Sequence, residues 1–104
     1  MTIAICDDSV IDCLLSKFLI SEYFKKRKMT CSIITYETGA KLLSDFENGT
    51  VFDIVFMDIY VGDELGIDVA GKLRNEGYDN LLIFSTITPE YAIASYSVKA
   101  NGYI

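Results

Sequence analysis

Phe52-Asp53-Ile54-Val55-Phe56-Met57-Asp58 is a nearly unbroken apolar run closed by an acid. Runs of about four to six β-branched and aromatic residues suit strands covered on both faces, the pattern of a parallel sheet. Three further runs repeat it: Ile3-Ala4-Ile5-Cys6, Ser32-Ile33-Ile34-Thr35-Tyr36 and Leu81-Leu82-Ile83-Phe84. Helical patterns lie between them. Ile11, Leu14, Leu15, Phe18 and Leu19 recur at helical spacing behind Ser9, a candidate N-cap, and predict one apolar stripe packed on the core. Thr38 opens a second helix carrying Leu42, Leu43 and Phe46, which ends near Asn48-Gly49. Ile67, Ala70, Gly71 and Leu73 mark a third, stopped near Gly77, and Pro89 starts a fourth with Tyr91, Ile93 and Ala94. Gly102-Tyr103-Ile104 reads as the beginning of a fifth strand. Strands alternating with helices imply right-handed βαβ units, hence an α/β fold with a parallel sheet between helical layers.

Composition narrows the function. The chain has 104 residues, 51% hydrophobic, with 9 basic and 15 acidic side chains, no histidine and a formal charge of −6. That length suits one domain, since domains run to roughly 100–150 residues. The acid excess argues against a nucleic-acid surface within these residues. Lack of histidine removes His-based triads and His-ligated metals. Cys6, Cys13 and Cys31 are odd in number and lack C-x-x-C spacing, so reduced thiols acting as small hydrophobes are expected. The N-terminus lacks signal-peptide character, and no apolar run approaches the ~18 residues of a membrane span. A cytoplasmic domain with no membrane partner is expected. The basic cluster Lys25-Lys26-Arg27-Lys28 is best read as a solvated helix end, with docking of an acidic partner as its rival.

In an open α/β sheet, ligands bind beyond the C-terminal strand ends. Asp7 and Asp8 follow the first run, Asp58 the third and Ser85-Thr86 the fourth. Three converging acids repel one another unless a cation compensates, and Mg²⁺ suits a few carboxylates together with phosphate oxygens. A carboxylate can also attack phosphorus to form an aspartyl phosphate, and the Thr86 hydroxyl can donate to phosphoryl oxygens. Any single strand-end Asp is commonly a cap or turn former, which would suffice for Asp8. Asp53 reads as a strand-start residue. The combination on three strand ends is what points to function.

Residues 3–9 (IAICDDS), 52–68 (FDIVFMDIYVGDELGID) and 81–104 (LLIFSTITPEYAIASYSVKANGYI) together resemble the receiver domain of bacterial two-component response regulators. The third segment is similar to receivers of LytTR-type transcriptional regulators. The resemblance implies a flavodoxin-like doubly wound sheet of order 2-1-3-4-5. It implies Asp58 as phosphoacceptor, Asp7 and Asp8 as the Mg²⁺-binding acids, and a metal contact through the Tyr60 main-chain carbonyl. Thr86 resembles the switch hydroxyl, Tyr103 the switch aromatic and Gly66 the loop glycine. The implied partners are a sensor histidine kinase and a C-terminal effector domain, through which alone DNA would be bound. The domain would take up and lose a phosphoryl group without turning over an external substrate.

Two departures stand out. Val61-Gly62 replaces the usual loop proline, which predicts a more mobile loop. Receivers also carry a Lys shortly after the Tyr103 position, whereas the sequence given stops at Ile104; Lys99 is a surface lysine rather than its substitute. Residues 1–104 are therefore expected to form one receiver domain that is C-terminally incomplete, with a partial last strand, no final helix and weak switching. Exposed apolar sheet surface and self-association into a homodimer are expected with it.

Other classes fit less well. A haloacid-dehalogenase-type phosphohydrolase needs a second Asp where Tyr60 stands. A flavodoxin-like electron carrier needs a phosphate loop where Asp7-Asp8 stand. A receiver-like module that docks or dimerises without phosphorylation is the serious rival.

Overall fold

The computed structural model describes residues 1–85 and 100–103. Its elements run β1 (Thr2–Cys6), α1 (Val10–Lys26), β2 (Ser32–Tyr36), α2 (Gly39–Glu47), β3 (Ile54–Met57), β4 (Tyr60–Val61), β5 (Glu64–Leu65), α3 (Gly66–Asn75), β6 (Leu81–Phe84) and β7 (Gly102–Tyr103). The main sheet has the order β2-β1-β3-β6-β7, and all its pairs are parallel. Counted without the short β4–β5 hairpin, this is the expected 2-1-3-4-5 order. The helix expected behind Pro89 lies outside the described residues.

Local chemistry fixes the element ends. The Ser9 hydroxyl accepts from the Asp12 N–H (3.3 Å) and Thr38 accepts from Lys41 N–H (3.2 Å), so both expected N-caps are in place. Gly49 and Gly77 close α2 and α3 with φ of +100°, a conformation that costs glycine least. At the opposite end of β3, Asp53 behaves as expected of a strand-start residue: its carboxylate accepts from the Thr2 N–H at 2.7 Å.

Strand alternation sends side chains to two cores. Ala4, Cys6, Val55, Met57, Leu82 and Phe84 join Leu42 of α2 and Leu73 of α3 on one side. Ile3 and Ile54 meet Phe24 of α1 on the other, with Ile20, Phe56 and Ile83 partly buried around them. The second layer is thinner. A groove of ≈ 550 Å³ runs between α1 and the sheet, lined by Leu19, Tyr23, Phe24, Ile54, Phe56 and Ile83. Ile54, Phe56 and Ile83 are the sheet residues that line it.

Helix α1 corrects the sequence reading. Its start is right and its inward face is not. Ile11 is 78% exposed, Phe18 61% and Leu15 56%, with Leu14 and Leu19 also exposed. Cys13 and Phe24 are the buried positions. Apolar residues almost encircle this helix, so periodicity alone selects the wrong stripe. Lys25 and Lys26 occupy its last turn, and the Arg27 guanidinium lies 3.6 Å from the centre of the Tyr23 ring, consistent with a helix-end role for the basic cluster.

The two faces of α1 should respond differently to substitution. Ile11→Gln and Leu15→Gln are expected to change unfolding free energy by no more than about 0.5 kcal/mol. Leu42→Ala, at a site with no exposure, should cost about 2–5 kcal/mol. Chemical denaturation checks both. A core-sized loss at Leu15 would place the expected stripe back against the sheet.

Candidate functional site

The site is the next rung of the sheet beyond its last regular pairs. Cys6 pairs with Met57 and Met57 with Phe84. One residue on, Asp7 N–H donates to Tyr36 O (3.0 Å), Asp58 N–H to Cys6 O (3.0 Å) and Ser85 N–H to Met57 O (2.9 Å). The backbone ladder thus holds Asp7, Asp58 and Ser85 side by side. Alternation gives them the parity of Ile5, Phe56 and Ile83, which face the α1 layer. A cavity of ≈ 90 Å³ beneath them is lined by all three and by Ser16 of α1.

Asp7, Asp8 and Asp58 converge. One carboxylate oxygen from each lies within 4.8 Å of the others. Asp7 is only 7% exposed. Its carboxylate accepts from the Ser9 N–H (2.9 Å), and its carbonyl accepts from Cys13 Sγ (3.2 Å), so the first turn of α1 fixes it from both ends. Burial pushes the Asp7 carboxyl above the usual range, the Ser9 hydrogen bond opposes this, and Asp58, Asp12 and Asp8 push it further. Asp58 Oδ1 accepts from the Ile59 N–H (2.9 Å) and from the Ser85 hydroxyl (3.4 Å). The ion pair between Lys72 and Glu64 (3.5 Å) does not involve these three acids. Hard oxygen donors at close range fit a divalent cation.

The loop after Asp58 contains a short antiparallel pair. It is organised as the β4–β5 hairpin, with Tyr60 opposite Leu65, Val61 opposite Glu64 and Gly62 at φ +63° in the turn. Tyr60 stands two residues after Asp58 and is exposed. Gly66 is required by a close approach: its N–H donates to Ile59 O (2.5 Å), and a Cβ there would collide with the Asp58 carbonyl. Any side chain at residue 66 must displace the backbone that carries Asp58.

Thr86, the expected hydroxyl, and Lys99 lie outside the described residues. Ser85, which the sequence marked only as Thr86's neighbour, is among the described residues a hydroxyl that reaches Asp58. Its signal was available in strand parity, because Asp58 and Ser85 each stand one residue beyond paired positions. The Tyr103 backbone pairs with Phe84 at the edge of the sheet. Cys6 is sealed beneath the site, where burial pushes its thiol up to about 12, with Cys13 and nearby carboxylates adding to the shift. That leaves it a packing residue.

Comparisons with known proteins agree with this fold. No family model matches the chain. It is 37% identical over 68 residues to the sensory transduction protein LytR of Staphylococcus haemolyticus, covering 65% of this chain and 25% of that protein. It is 38% identical over 52 residues to LytT of Enterococcus faecalis, covering 50% of this chain and 22% of that protein. The chain thus spans about a quarter of the length of these curated relatives. Among solved structures it is similar to the response regulatory domain of mrkE from Klebsiella pneumoniae, with TM-score 0.83, 21% identity and coverage of 100% of this chain and 81% of that one. A two-component response regulator from Clostridium difficile gives TM-score 0.82 and 16% identity over 100% of this chain and 81% of that one. The Mn²⁺-bound form of the response regulator Rcp1 gives 0.73 and 18% over 99% and 78%. No described helix is long and apolar enough to cross a membrane.

Converging acids predict coupled effects of charge and cation. Thermal unfolding followed against Mg²⁺ should show stabilisation approaching about 2.7 kcal/mol at a hundred times the dissociation constant. Asp7→Asn should abolish that gain while leaving the metal-free protein equally or more stable, because it removes one repelling charge. A full Mg²⁺ response in Asp7→Asn would contradict a shared site.

Proposed function

We propose that this chain, a response-regulator receiver domain similar in sequence to the LytR and LytT regulators, accepts a phosphoryl group on Asp58 from a sensor histidine kinase. The observation that carries this reading is the meeting of Asp7, Asp8 and Asp58, with one carboxylate oxygen of each within 4.8 Å of the others. Asp58 is the nucleophile, since it lies centrally on the rung and its Oδ1 is pinned by Ile59 and Ser85. Asp7 and Asp8, with Asp58 and the Tyr60 carbonyl, would hold Mg²⁺. When bound, that ion supplies positive charge for the incoming phosphoryl oxygens. Thr86 would donate to the phosphoryl group, and Tyr103 would repack as Thr86 moves.

Residues 1–104 serve as the receiver in this reading. Output belongs to a C-terminal effector domain of the LytTR kind that binds DNA, and the protein acts in the cytoplasm as a switch rather than a turnover enzyme. The rival, a module that docks or dimerises without phosphorylation, leaves the buried repulsion at Asp7 without a purpose.

The exposed face of α1 supports a protein donor. Ile11, Leu14, Leu15 and Phe18 form an apolar surface on the helix that starts immediately after Asp7 and Asp8. Contiguous exposed apolar surface of this kind marks interaction sites. The kinase would cover it while presenting its phosphohistidine to Asp58.

Incubation with Mg²⁺ and acetyl phosphate should add one phosphoryl group to the intact mass. Asp58→Asn should abolish the adduct, and absence of an adduct in the unaltered chain would overturn the reading. Leu15→Glu should slow transfer from the cognate kinase at least tenfold while leaving labelling by acetyl phosphate unchanged. Equal losses with both donors would remove α1 as the docking face.

A further inference from the structure

We propose that Ser85 is a positioning residue that shortens the lifetime of the phosphoryl group on Asp58. The inference rests on the phosphoacceptor reading above and adds a determinant of how long the signal lasts. Three observations lead to it. Ser85 and Asp58 stand one residue beyond the paired Phe84 and Met57, so they share a rung and a face. The Ser85 N–H is tied to Met57 O at 2.9 Å, which fixes the residue beside its target. Its hydroxyl donates to Asp58 Oδ1 at 3.4 Å, and Ile59 N–H donates to the same oxygen at 2.9 Å.

Both donors therefore sit on one oxygen of the carboxylate. Oδ2, which neither of these two donors holds, is taken as the oxygen that bonds phosphorus. Oδ1 then becomes the carbonyl oxygen of the acyl phosphate. In hydrolysis, a water oxygen bonds to phosphorus as the bond from phosphorus to Asp58 Oδ2 breaks. The electron pair returns to the carboxylate, and the water's protons leave with inorganic phosphate and solvent. Negative charge thereby reappears on the group that Ser85 holds. A hydrogen bond to a carboxylate is stronger than one to a neutral carbonyl. Ser85 accordingly favours departure of the phosphoryl group and disfavours its retention. Geometry keeps the effect modest, because the contact is long.

The test is the half-life of the Asp58 phosphoryl group, followed by intact mass after removal of acetyl phosphate. Ser85→Ala should lengthen it about two- to fivefold. Ser85→Thr, which restores a hydroxyl, should return it to the original value. Mg²⁺ affinity, measured separately by calorimetry, should be the same in all three proteins, which distinguishes positioning from distortion of the site. An unchanged or shortened half-life in Ser85→Ala, with the adduct present, overturns the role of Ser85 and leaves the phosphoacceptor reading standing. No adduct in any of the three proteins overturns that reading and this inference with it.

Discussion

Electrostatic repulsion among Asp7, Asp8 and Asp58 sets the demand that the fold has to meet. Carboxylate oxygens within 4.8 Å of one another are unfavourable, and burial of Asp7 makes them more so. Only a rigid frame can hold them there. The frame is the parallel sheet, whose backbone hydrogen bonds continue one residue past the regular pairs to Asp7, Asp58 and Ser85. Two fully packed layers of side chains would make such a sheet most rigid. Here the α2–α3 side is densely packed, while the α1 side keeps an apolar groove.

Local details serve the same end. Ser9 caps α1 and also donates its N–H to Asp7, so one residue starts a helix and orients a site carboxylate. Gly66 lets α3 begin against the Asp58 carbonyl. The β4–β5 hairpin turns the chain back within a few residues, which brings Gly66 into reach of Ile59. Stability is given up where the acids meet and recovered in the strands beneath them, a usual trade at functional sites.

The strands were legible because each apolar run is short, continuous and ended by a polar residue. The acidic site was legible for the same reason: Asp7 and Asp58 are the residues that end two of those runs. Helix α1 was not, since Ile11, Leu14, Leu15, Phe18 and Leu19 form a better apolar stripe than Cys13, Ile20 and Phe24, which face the sheet. Exposed apolar residues look the same as core residues in a sequence. The hairpin was missed because two-residue strands carry no period, although Gly62-Asp63 is a turn signal. Ser85 was passed over because a likeness to known receivers directs attention to Thr86, whereas the register directs it to Ser85.

A shared cation is what would let the three carboxylates tolerate one another. Diffraction from crystals grown with Mn²⁺, using the anomalous signal of the metal, tests it most directly. One strong peak is expected among Asp7, Asp8 and Asp58, within ligand distance of carboxylate oxygens from at least Asp7 and Asp58. Crystals saturated with Mn²⁺ that show no peak there, with the carboxylates still converging, would contradict it.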